Sequence, residues 1–298
     1  MNIIIIEKFR FDRSKSIMQK ITNLTLDEER ALYALESAEV DGCKIDGPAD
    51  GESALKECRD ITVTNSYFNL RYPFWHNTNV VIKNCELTEK CRAALWYCDK
   101  ISVENCKMNG IKALRECTDI SLDGISADSP EYLWRCKCIK IKNTSIKSEY
   151  PFFECSDILI NNLELTGKYS FQYVENAVIE NSVLNTKDAF WHSKNVTVRD
   201  SEVHGEYLGW YSENLHLIRC KITGTQPLCY CKGLILEDCE TEGCDLSFER
   251  SEVRAAIKGE IESIKNPAPQ SVITAGKIGE IILEKDFCDP DKITINTY

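Results

Sequence analysis

The sequence predicts an all-β fold, a single-stranded right-handed parallel β-helix of about eleven to thirteen coils, on three observations. An apolar pair of the type Ile61-Thr-Val63 occurs ten times, and the copies are 19 residues apart at every step but one. Apolar and polar residues alternate in each copy, as in a half-buried strand. Cys98, Cys117 and Cys136 follow one another at the same step of 19. A fixed period near 20 residues is typical of a solenoid.

Each unit is predicted to contain three short strands and three turns. The apolar pair is the first strand, and a column of asparagines follows it, of which Asn65 and Asn84 are examples. Asparagine tolerates the left-handed turn conformation, and stacked amides can bond from coil to coil. A second strand of the type Cys85-x-Leu87 comes next, and the third contains an aromatic stretch. The left-handed hexapeptide pattern is absent from the sequence, which favours the right-handed form.

One structural domain in three parts is expected. Residues 1–36 would form an N-terminal cap in which 25–35 is a short helix, since Thr25 or Asp27 could cap it and acids occupy its first turn. Residues 37–265 would be the repeats, and 266–298 a degenerate coil and C-terminal cap. Caps are expected because an open solenoid would expose its core and its strand edges.

Composition and charge exclude several classes of function. The chain has 298 residues, of which 43% are hydrophobic and 28% charged, which is typical of a globular protein. A net charge of -11 argues against nucleic acid as a partner. No apolar run approaches the roughly 18 residues of a membrane span, and the four isoleucines at 3–6 are too few for a signal peptide. A cytoplasmic location without a membrane partner is therefore predicted.

The 16 cysteines are interpreted as reduced thiols packed inside the coils, because they follow the repeat and no export signal precedes them. Neither a metal site nor a cofactor is predicted from them.

Several stretches resemble a known bacterial family. They are Asp50-Gly-Glu-Ser-Ala-Leu-Lys56, Tyr72-Pro-Phe-Trp75, Arg92-Ala-Ala-Leu-Trp-Tyr97, Asp188-Ala-Phe-Trp191, Gly205-Glu-Tyr-Leu-Gly-Trp210 and Ser263-Ile-Lys-Asn-Pro267. From about residue 30 to 267 the chain resembles the family called domain of unknown function 3737, in the pectate-lyase-like group of right-handed β-helices. The resemblance implies the fold and no activity. The Asp-Asp and Gly-His-Gly motifs of polygalacturonases are absent, so a known pectin-degrading class is not expected.

Ligands are expected along the outer face of the third strand. If this strand alternates strictly, the column that contains His76 and Glu116 must point outward, because burial of its charges would cost several kcal/mol each. The apolar row from Phe74 to Phe190 would then share the outer face, and Trp75 and the other tryptophans would lie inside. Arg115 falls in that inner column and would need a buried partner, so the orientation of the tryptophan column stays open.

A central cluster on this face is a candidate for catalysis. Glu116 and Glu154 would lie two coils apart, about 10 Å, which approaches the roughly 6.5–9.5 Å between the carboxylates of inverting glycosidases. One would act as acid and the other as base, with Arg115 and Arg135 beside them. A surface ladder of salt bridges is the simpler explanation of the same residues.

A later cluster is the second candidate. Asp188 and His192 share a strand face and could form a general-base pair, although no nucleophile is assured beside them. The residues predicted to contact a ligand are aromatic, charged or histidine: Tyr72, His76, Tyr97, Lys112, Glu131, Tyr169, Tyr173, Glu206, Tyr207 and Tyr211.

The predicted function is binding or processing of an oligosaccharide along this face, since aromatic rings stack on sugars while carboxylates and imidazoles bind hydroxyls. Whether a reaction occurs stays open; if it does, a glycoside hydrolase or lyase-like activity with paired carboxylates is expected. The alternative is a non-catalytic scaffold that uses the same face as a homo-oligomer or partner interface, because a long exposed apolar row should contact something.

Overall fold

A computed structural model of the protein describes residues 18–47 and 53–298, which form a parallel β-solenoid of about 14 turns. The register between coils confirms the predicted period. Ile101 pairs with Ile120 and Ile120 with Ile139, each 19 residues further on. The one predicted step of 21, from Val80 to Ile101, is also a direct strand pairing.

Every coil contributes strands to sheets that run along the solenoid. The first sheet stacks Gln19–Thr22, Glu36–Asp41, Arg59–Thr64, Thr78–Lys83, Asp99–Glu104, Thr118–Asp123, Lys137–Ser148, Ser156–Gly167, Glu175–Glu180, Lys194–Arg199, Glu213–Ile218, Leu234–Glu242, Val253–Lys265, Val272–Ile282 and Thr294–Thr297. The second stacks the C-terminal halves of the longest of these strands with Thr25–Leu26, Lys44–Ile45, Tyr67–Phe68, Glu86–Leu87, Lys107–Asn109, Ser126–Asp128, Val183–Asn185, Glu202–His204 and Lys221–Thr223.

The third side of the solenoid is less regular. Its strands are Phe74–Trp75, Leu95–Trp96, Leu114–Arg115, Glu131–Tyr132 and Tyr150–Pro151, and the other coils pass along it as turns. The described residues contain one helix, the short 3₁₀ segment Pro290–Lys292. No helix in those ranges is long and apolar enough to cross a membrane.

The corners of the coils are made by residues in the left-handed conformation. The predicted asparagine column occupies one corner, with φ of 48° at Asn143 and 60° at Asn162. Asn162 Nδ2 donates to Asn143 Oδ1 at 3.0 Å, so the amides bond from coil to coil. A second ladder, which the sequence analysis missed, lies at the start of the first strand, where Asn214 donates to Asn195 and Asn195 to Asn176.

The buried thiols complete these corners. Directly after a left-handed residue the chain turns inward, and the N–H of the next residue is buried. A small polar side chain from the following coil accepts it: the N–H of Cys85 donates to Cys106 Sγ at 3.2 Å and that of Cys136 to Cys155 Sγ at 3.3 Å. In another coil an amide oxygen does the same for Cys58. The cysteine period is therefore a hydrogen-bonding requirement as well as a packing one.

The predicted helix at 25–35 is wrong. Thr25–Leu26 is a strand of the second sheet that pairs with Lys44–Ile45, and the rest of the segment forms turns. The N–H of Leu32 donates to the carbonyl of Ala54 at 2.9 Å, so bonds to the next coil replace those within a helix. The segment is thus part of the coil that begins at Gln19–Thr22, and this additional coil is one reason why the array is longer than eleven to thirteen coils. The predicted cap residues 1–17 lie outside the described residues.

A large and a small loss of stability are expected from truncating two neighbouring residues of one coil. Phe171 stacks in the core between Phe152 and Phe190, with ring centroids 4.5 and 5.2 Å away. Phe171→Ala should lower the free energy of unfolding by about 3–5 kcal/mol, because it opens a cavity. Gln172 is half-exposed, and Gln172→Ala should cost less than about 1 kcal/mol. Urea unfolding followed by circular dichroism measures both free energies of unfolding. Equal losses would contradict the placement of Phe171 inside the coil and Gln172 outside it.

A single reactive thiol is expected in the folded protein. Cys138 is the exposed cysteine, and the other fifteen of the 16 are buried. Burial raises the pKa of the Cys58 and Cys231 thiols to about 11, so the nucleophilic thiolate is scarce at neutral pH. A chromogenic thiol reagent should titrate one group before unfolding and all 16 in urea. Cys138→Ser should abolish the native signal, and two or more fast thiols would disprove the assignment.

Candidate functional site

On the third side of the coils the column that contains His76 points outward as predicted, whereas the apolar row and the tryptophan column are exchanged relative to strict alternation. Phe74 is 0% exposed, Trp75 is half-exposed and His76 is exposed. Strict alternation fails because His76 adopts the left-handed conformation, with φ of 58°. Two consecutive side chains therefore point outward before the chain turns in again at Asn77, which is buried.

The same inversion holds along the whole apolar row. These residues are all buried in the core: Phe74, Leu95, Leu114, Leu133, Phe152, Phe171 and Phe190. The row is therefore core and offers no surface to a partner, contrary to the expectation of an exposed apolar row. Sequence reasoning had the necessary signal, since Lys56, Arg115 and Gln172 share the tryptophan column and are poor candidates for burial.

Three columns of side chains instead cover the outer surface, and together they are termed the aromatic strip. The first column contains Tyr72, Lys112, Glu131, Tyr150, Tyr169, Asp188 and Tyr207. The second contains Trp75, Trp96, Arg115, Trp134, Phe153, Gln172, Trp191 and Trp210. The third contains His76, Tyr97, Glu116, Arg135, Glu154, Tyr173, His192, Tyr211 and Tyr230. The strip extends over nine coils, roughly 40 Å at about 4.8 Å per coil, and it holds all five tryptophans of the chain.

Rings of the third column stack face to face along the solenoid axis. His192 lies between Tyr173 and Tyr211, with centroids 5.1 Å away on both sides and planes within 8° of parallel. Tyr230 continues the stack at 4.9 Å from Tyr211. Because neighbouring rings cover each other's faces, their edges, phenolic hydroxyls and imidazole nitrogens are what solvent meets. Tyr173 and Tyr211 are nonetheless among the most exposed large side chains.

The second column forms two tryptophan stacks. Trp75 and Trp96 are 5.7 Å apart, and Trp191 and Trp210 are 5.6 Å apart with planes 2° from parallel. The first stack has a cation over each end. Lys56 Nζ lies 4.7 Å from the centre of Trp75, and the guanidinium of Arg115 lies 5.5 Å from Trp96, which is within cation–π range. The outer faces of this stack are therefore occupied.

The indole N–H groups differ between the two halves of the strip. Trp191 and Trp210 donate to the backbone carbonyls of Tyr207 and Gln226, at 2.9 and 2.8 Å. Trp134 makes the equivalent bond, at 2.6 Å, to Tyr150. The N–H groups of Trp75 and Trp96 are buried and make no hydrogen bond. The later half of the strip is therefore tied to the backbone more completely than the earlier half.

Between the two aromatic halves lies a group of charged side chains, termed the central charged cluster. It consists of Lys112, Arg115, Glu116, Glu131, Arg135 and Glu154. Arg135 Nε bonds Glu154 at 2.6 Å, which raises the pKa of the arginine. Arg135 lies between Glu116 and Glu154 in the third column. On its other side, Glu116 Oε1 lies 3.6 Å from Arg115 Nε. The predicted pair Glu116 and Glu154 thus has the contacts of a salt-bridge ladder.

Asp188 and His192 are not brought together. His192 belongs to the third column, between two tyrosines, and Asp188 to the first, with the Trp191 column between them. Among the hydrogen bonds and ion pairs of the described residues, none joins the two. Asp188 is 6% exposed, and burial raises its pKa; Lys187 opposes this shift and Glu206 adds to it.

The other predicted contact residues lie on the strip or at its border. Tyr72 is 5.4 Å from Trp75, and Tyr169 stacks on Tyr150 at 4.8 Å. Tyr207 packs edge-on against Trp210. Glu206 precedes it at the border, where Lys187 binds its carboxylate at 2.9 Å.

A family model described as "Protein of unknown function (DUF3737)" matches residues 19–296. The chain belongs to this family. No curated protein matches the sequence of this DUF3737 member.

Solved β-helix structures resemble it in fold. A mutant tailspike protein of E. coli bacteriophage HK620 in complex with a pentasaccharide is 9% identical, with a TM-score of 0.42, over 83% of this chain and 60% of that one. Another mutant of this tailspike is 7% identical with a TM-score of 0.47, over 93% and 72%. PfbA, a surface adhesin of Streptococcus pneumoniae, is 7% identical with a TM-score of 0.37, over 83% and 82%. The DUF3737 chain thus spans 60% of the first tailspike. At these identities the likeness concerns the fold alone.

Opposite pH dependences are expected for two aspartates. Below the ordinary aspartate pKa of about 3.9, Asp188 is neutral in both folded and unfolded chains. Burial raises the pKa of Asp188 in the folded protein. The wild type therefore loses stability as the pH rises from the unfolded pKa to the folded pKa. Asp188→Asn should therefore be more stable than the wild type at pH 7, with a difference that vanishes in acid.

Asp200 is the matched control. Hydrogen bonds from Arg219 lower its pKa, so its contribution to stability is present at neutral pH and is lost as the pH falls through the folded pKa. Asp200→Asn should be less stable than the wild type at pH 7. Urea unfolding between pH 3 and 7 compares the two variants, and the same sign for both would contradict the assignment.

Proposed function

We propose that the aromatic strip binds an extended saccharide. The observation that carries this proposal is the roughly 40 Å row of exposed ring edges and polar tips on one side of a rigid sheet stack. Tyrosine hydroxyls both donate and accept, imidazoles can do either, and the interspersed carboxylates accept. Sugar hydroxyls need this mixture of partners.

The stacks also favour binding through preorganisation. His192 is held between two tyrosines, and the indole N–H of Trp191 is anchored to a backbone carbonyl. A ligand would therefore order few side chains when it binds, which reduces the entropic cost of association.

Single-stranded nucleic acid, the other common ligand of aromatic surfaces, fits less well. Bases stack on ring faces, whereas the faces of Tyr173, His192 and Tyr211 cover one another. Phosphates would also meet a chain with a net charge of -11.

The proposal assigns binding and no reaction. Glu154 is ion-paired, and Asp188 and His192 lie in different columns. A second candidate role is that of a structural ladder, because the stacked faces and the cations over Trp75 and Trp96 also hold adjacent coils together. Both roles use the same side chains, and a binding measurement separates them.

Tryptophan emission should report ligand binding directly, since all five tryptophans lie in the strip. A panel of soluble oligosaccharides derived from xylan, glucan, mannan, chitin, pectin and hyaluronan is titrated into the protein. At least one should shift or quench the emission saturably. Tyr173→Ala and Tyr211→Ala should each lower the affinity for that ligand by about fivefold or more, because each removes a hydrogen bond and a ring contact.

Tyr298→Ala is the control, because this tyrosine is exposed in the last coil, beyond the strip. It should bind as the wild type does. If no saccharide of the panel changes the emission, while Tyr173→Ala and Tyr211→Ala lower the melting temperature, the strip is a structural ladder and the binding proposal is wrong.

A further inference from the structure

We propose that Arg115 and Glu131, in the middle of the aromatic strip, form a subsite for the hydroxyl groups of an uncharged sugar unit. This inference rests on the proposed function and names the class of saccharide.

The two side chains face each other without a direct hydrogen bond. Arg115 Nη1 lies 3.8 Å from Glu131 Oε2, and Lys112 Nζ lies 3.8 Å from the same oxygen. On its other side, Arg115 Nε is 3.6 Å from Glu116 Oε1. All three separations exceed the ordinary length of a charged hydrogen bond. Arg135 and Glu154, the next arginine–glutamate pair along the strip, are by contrast bonded directly at 2.6 Å.

Both groups are largely removed from water. The side chains of Arg115 and Glu131 are only 17% and 20% exposed. Glu131 Oε2 is buried without a hydrogen-bond partner, and so is Arg115 Nε on the side that faces Glu116. Buried polar atoms in proteins are nearly always bonded, and an unmet donor or acceptor destabilises its state. A ligand can reach only the exposed edge of this pair, where the hydrogen of a hydroxyl group can donate to the carboxylate while its oxygen accepts from the guanidinium.

The guanidinium is held in place by aromatic walls. Its carbon lies 5.5 Å from the centre of Trp96 and 5.4 Å from that of Trp134. Arg115 occupies the tryptophan column itself, pairing with Trp96 on one side and bridging to Trp134 on the other. A sugar unit over this position would meet polar groups at its centre and indole edges at both ends.

The charge balance selects an uncharged unit. The central charged cluster contains three cations, Lys112, Arg115 and Arg135, and three carboxylates, so its net charge is zero. The carboxylate of an acidic sugar placed against Arg115 would lie close to Glu116 and Glu131, and the chain as a whole carries a charge of -11. A neutral diol uses the donors and acceptors alike without this repulsion.

Isothermal titration calorimetry with two sets of hexasaccharides tests the subsite. The uncharged set contains xylo-, cello-, manno- and chito-oligosaccharides, and the acidic set oligogalacturonate and hyaluronan. Arg115→Met keeps the stem between the tryptophans and removes the donors, so it should weaken an uncharged ligand by about tenfold or more. Glu131→Gln keeps the shape and exchanges a charged acceptor for a neutral one, so it should weaken binding by about threefold.

Controls of identical chemistry lie on other sheets. Arg199→Met removes an arginine that pairs with Glu180 on the first sheet, and Glu164→Gln changes an exposed carboxylate on the second. Both should bind within about twofold of the wild type, because neither touches the strip. Melting temperatures establish that each variant is folded. If Arg115→Met does not fold, the affinity of Glu131→Gln for the uncharged ligand tests the subsite instead.

The outcomes separate the inference from the proposed function. Tighter binding of the acidic set, or folded Arg115→Met and Glu131→Gln variants that bind as the wild type while Tyr173→Ala binds weakly, would overturn the subsite and leave saccharide binding intact. If neither set binds, the proposed function and the subsite are both wrong.

Discussion

The structure depends on how the backbone N–H groups at the corners of each coil find hydrogen-bond acceptors. A left-handed residue donates its N–H to the next coil, as Asn65 does to the carbonyl of Lys83 at 3.0 Å. The residue after it then points inward and leaves a buried N–H, which a cysteine, serine or asparagine of the next coil accepts, as Asn77 does for Cys58. One requirement therefore explains two features of the sequence that seem unrelated, the amide ladders and the abundance of thiols.

The same corners determine the surface of the third side. A left-handed residue makes two consecutive side chains point outward, so each coil presents a pair such as Trp191 and His192 where a regular strand would present one. Stacking at about 4.8 Å per coil then brings like residues into ring-to-ring contact. The ring faces hold the coils together, and the hydroxyls and nitrogens at the ring edges remain for a ligand. Stability and binding thus use different parts of the same side chains.

Where polar residues interrupt the aromatic stacks, the side chains of the strip differ in how completely they are hydrogen-bonded. Arg135 and Glu154 settle into a direct ion pair, whereas Arg115 and Glu131, held at 3.8 Å, retain unmet hydrogen-bonding capacity beside two tryptophans. Asp188 shows a different consequence of the same environment. It occupies a first-column position between Tyr169 and Tyr207, and burial is the largest cause of its raised pKa, with Glu206 adding to the shift and Lys187 opposing it. The polar positions of the strip therefore differ more in their surroundings than their regular spacing indicates.

By itself, the sequence determined the period of 19, the strand of each apolar pair, the Asn143 to Asn162 ladder and the burial of fifteen of the 16 cysteines, with Cys138 the exception. In-register stacking is the reason, because it makes every coil repeat the residues that its position requires. Only the tertiary structure decided that 25–35 belongs to a coil, that Trp75 lies outside and Phe74 inside, and that none of the hydrogen bonds among the described residues joins Asp188 and His192. The physical reason is that alternation assumes an extended backbone. A single positive φ, such as the 58° of His76, shifts the phase of the strand, and a residue type other than glycine or asparagine gives little warning of it.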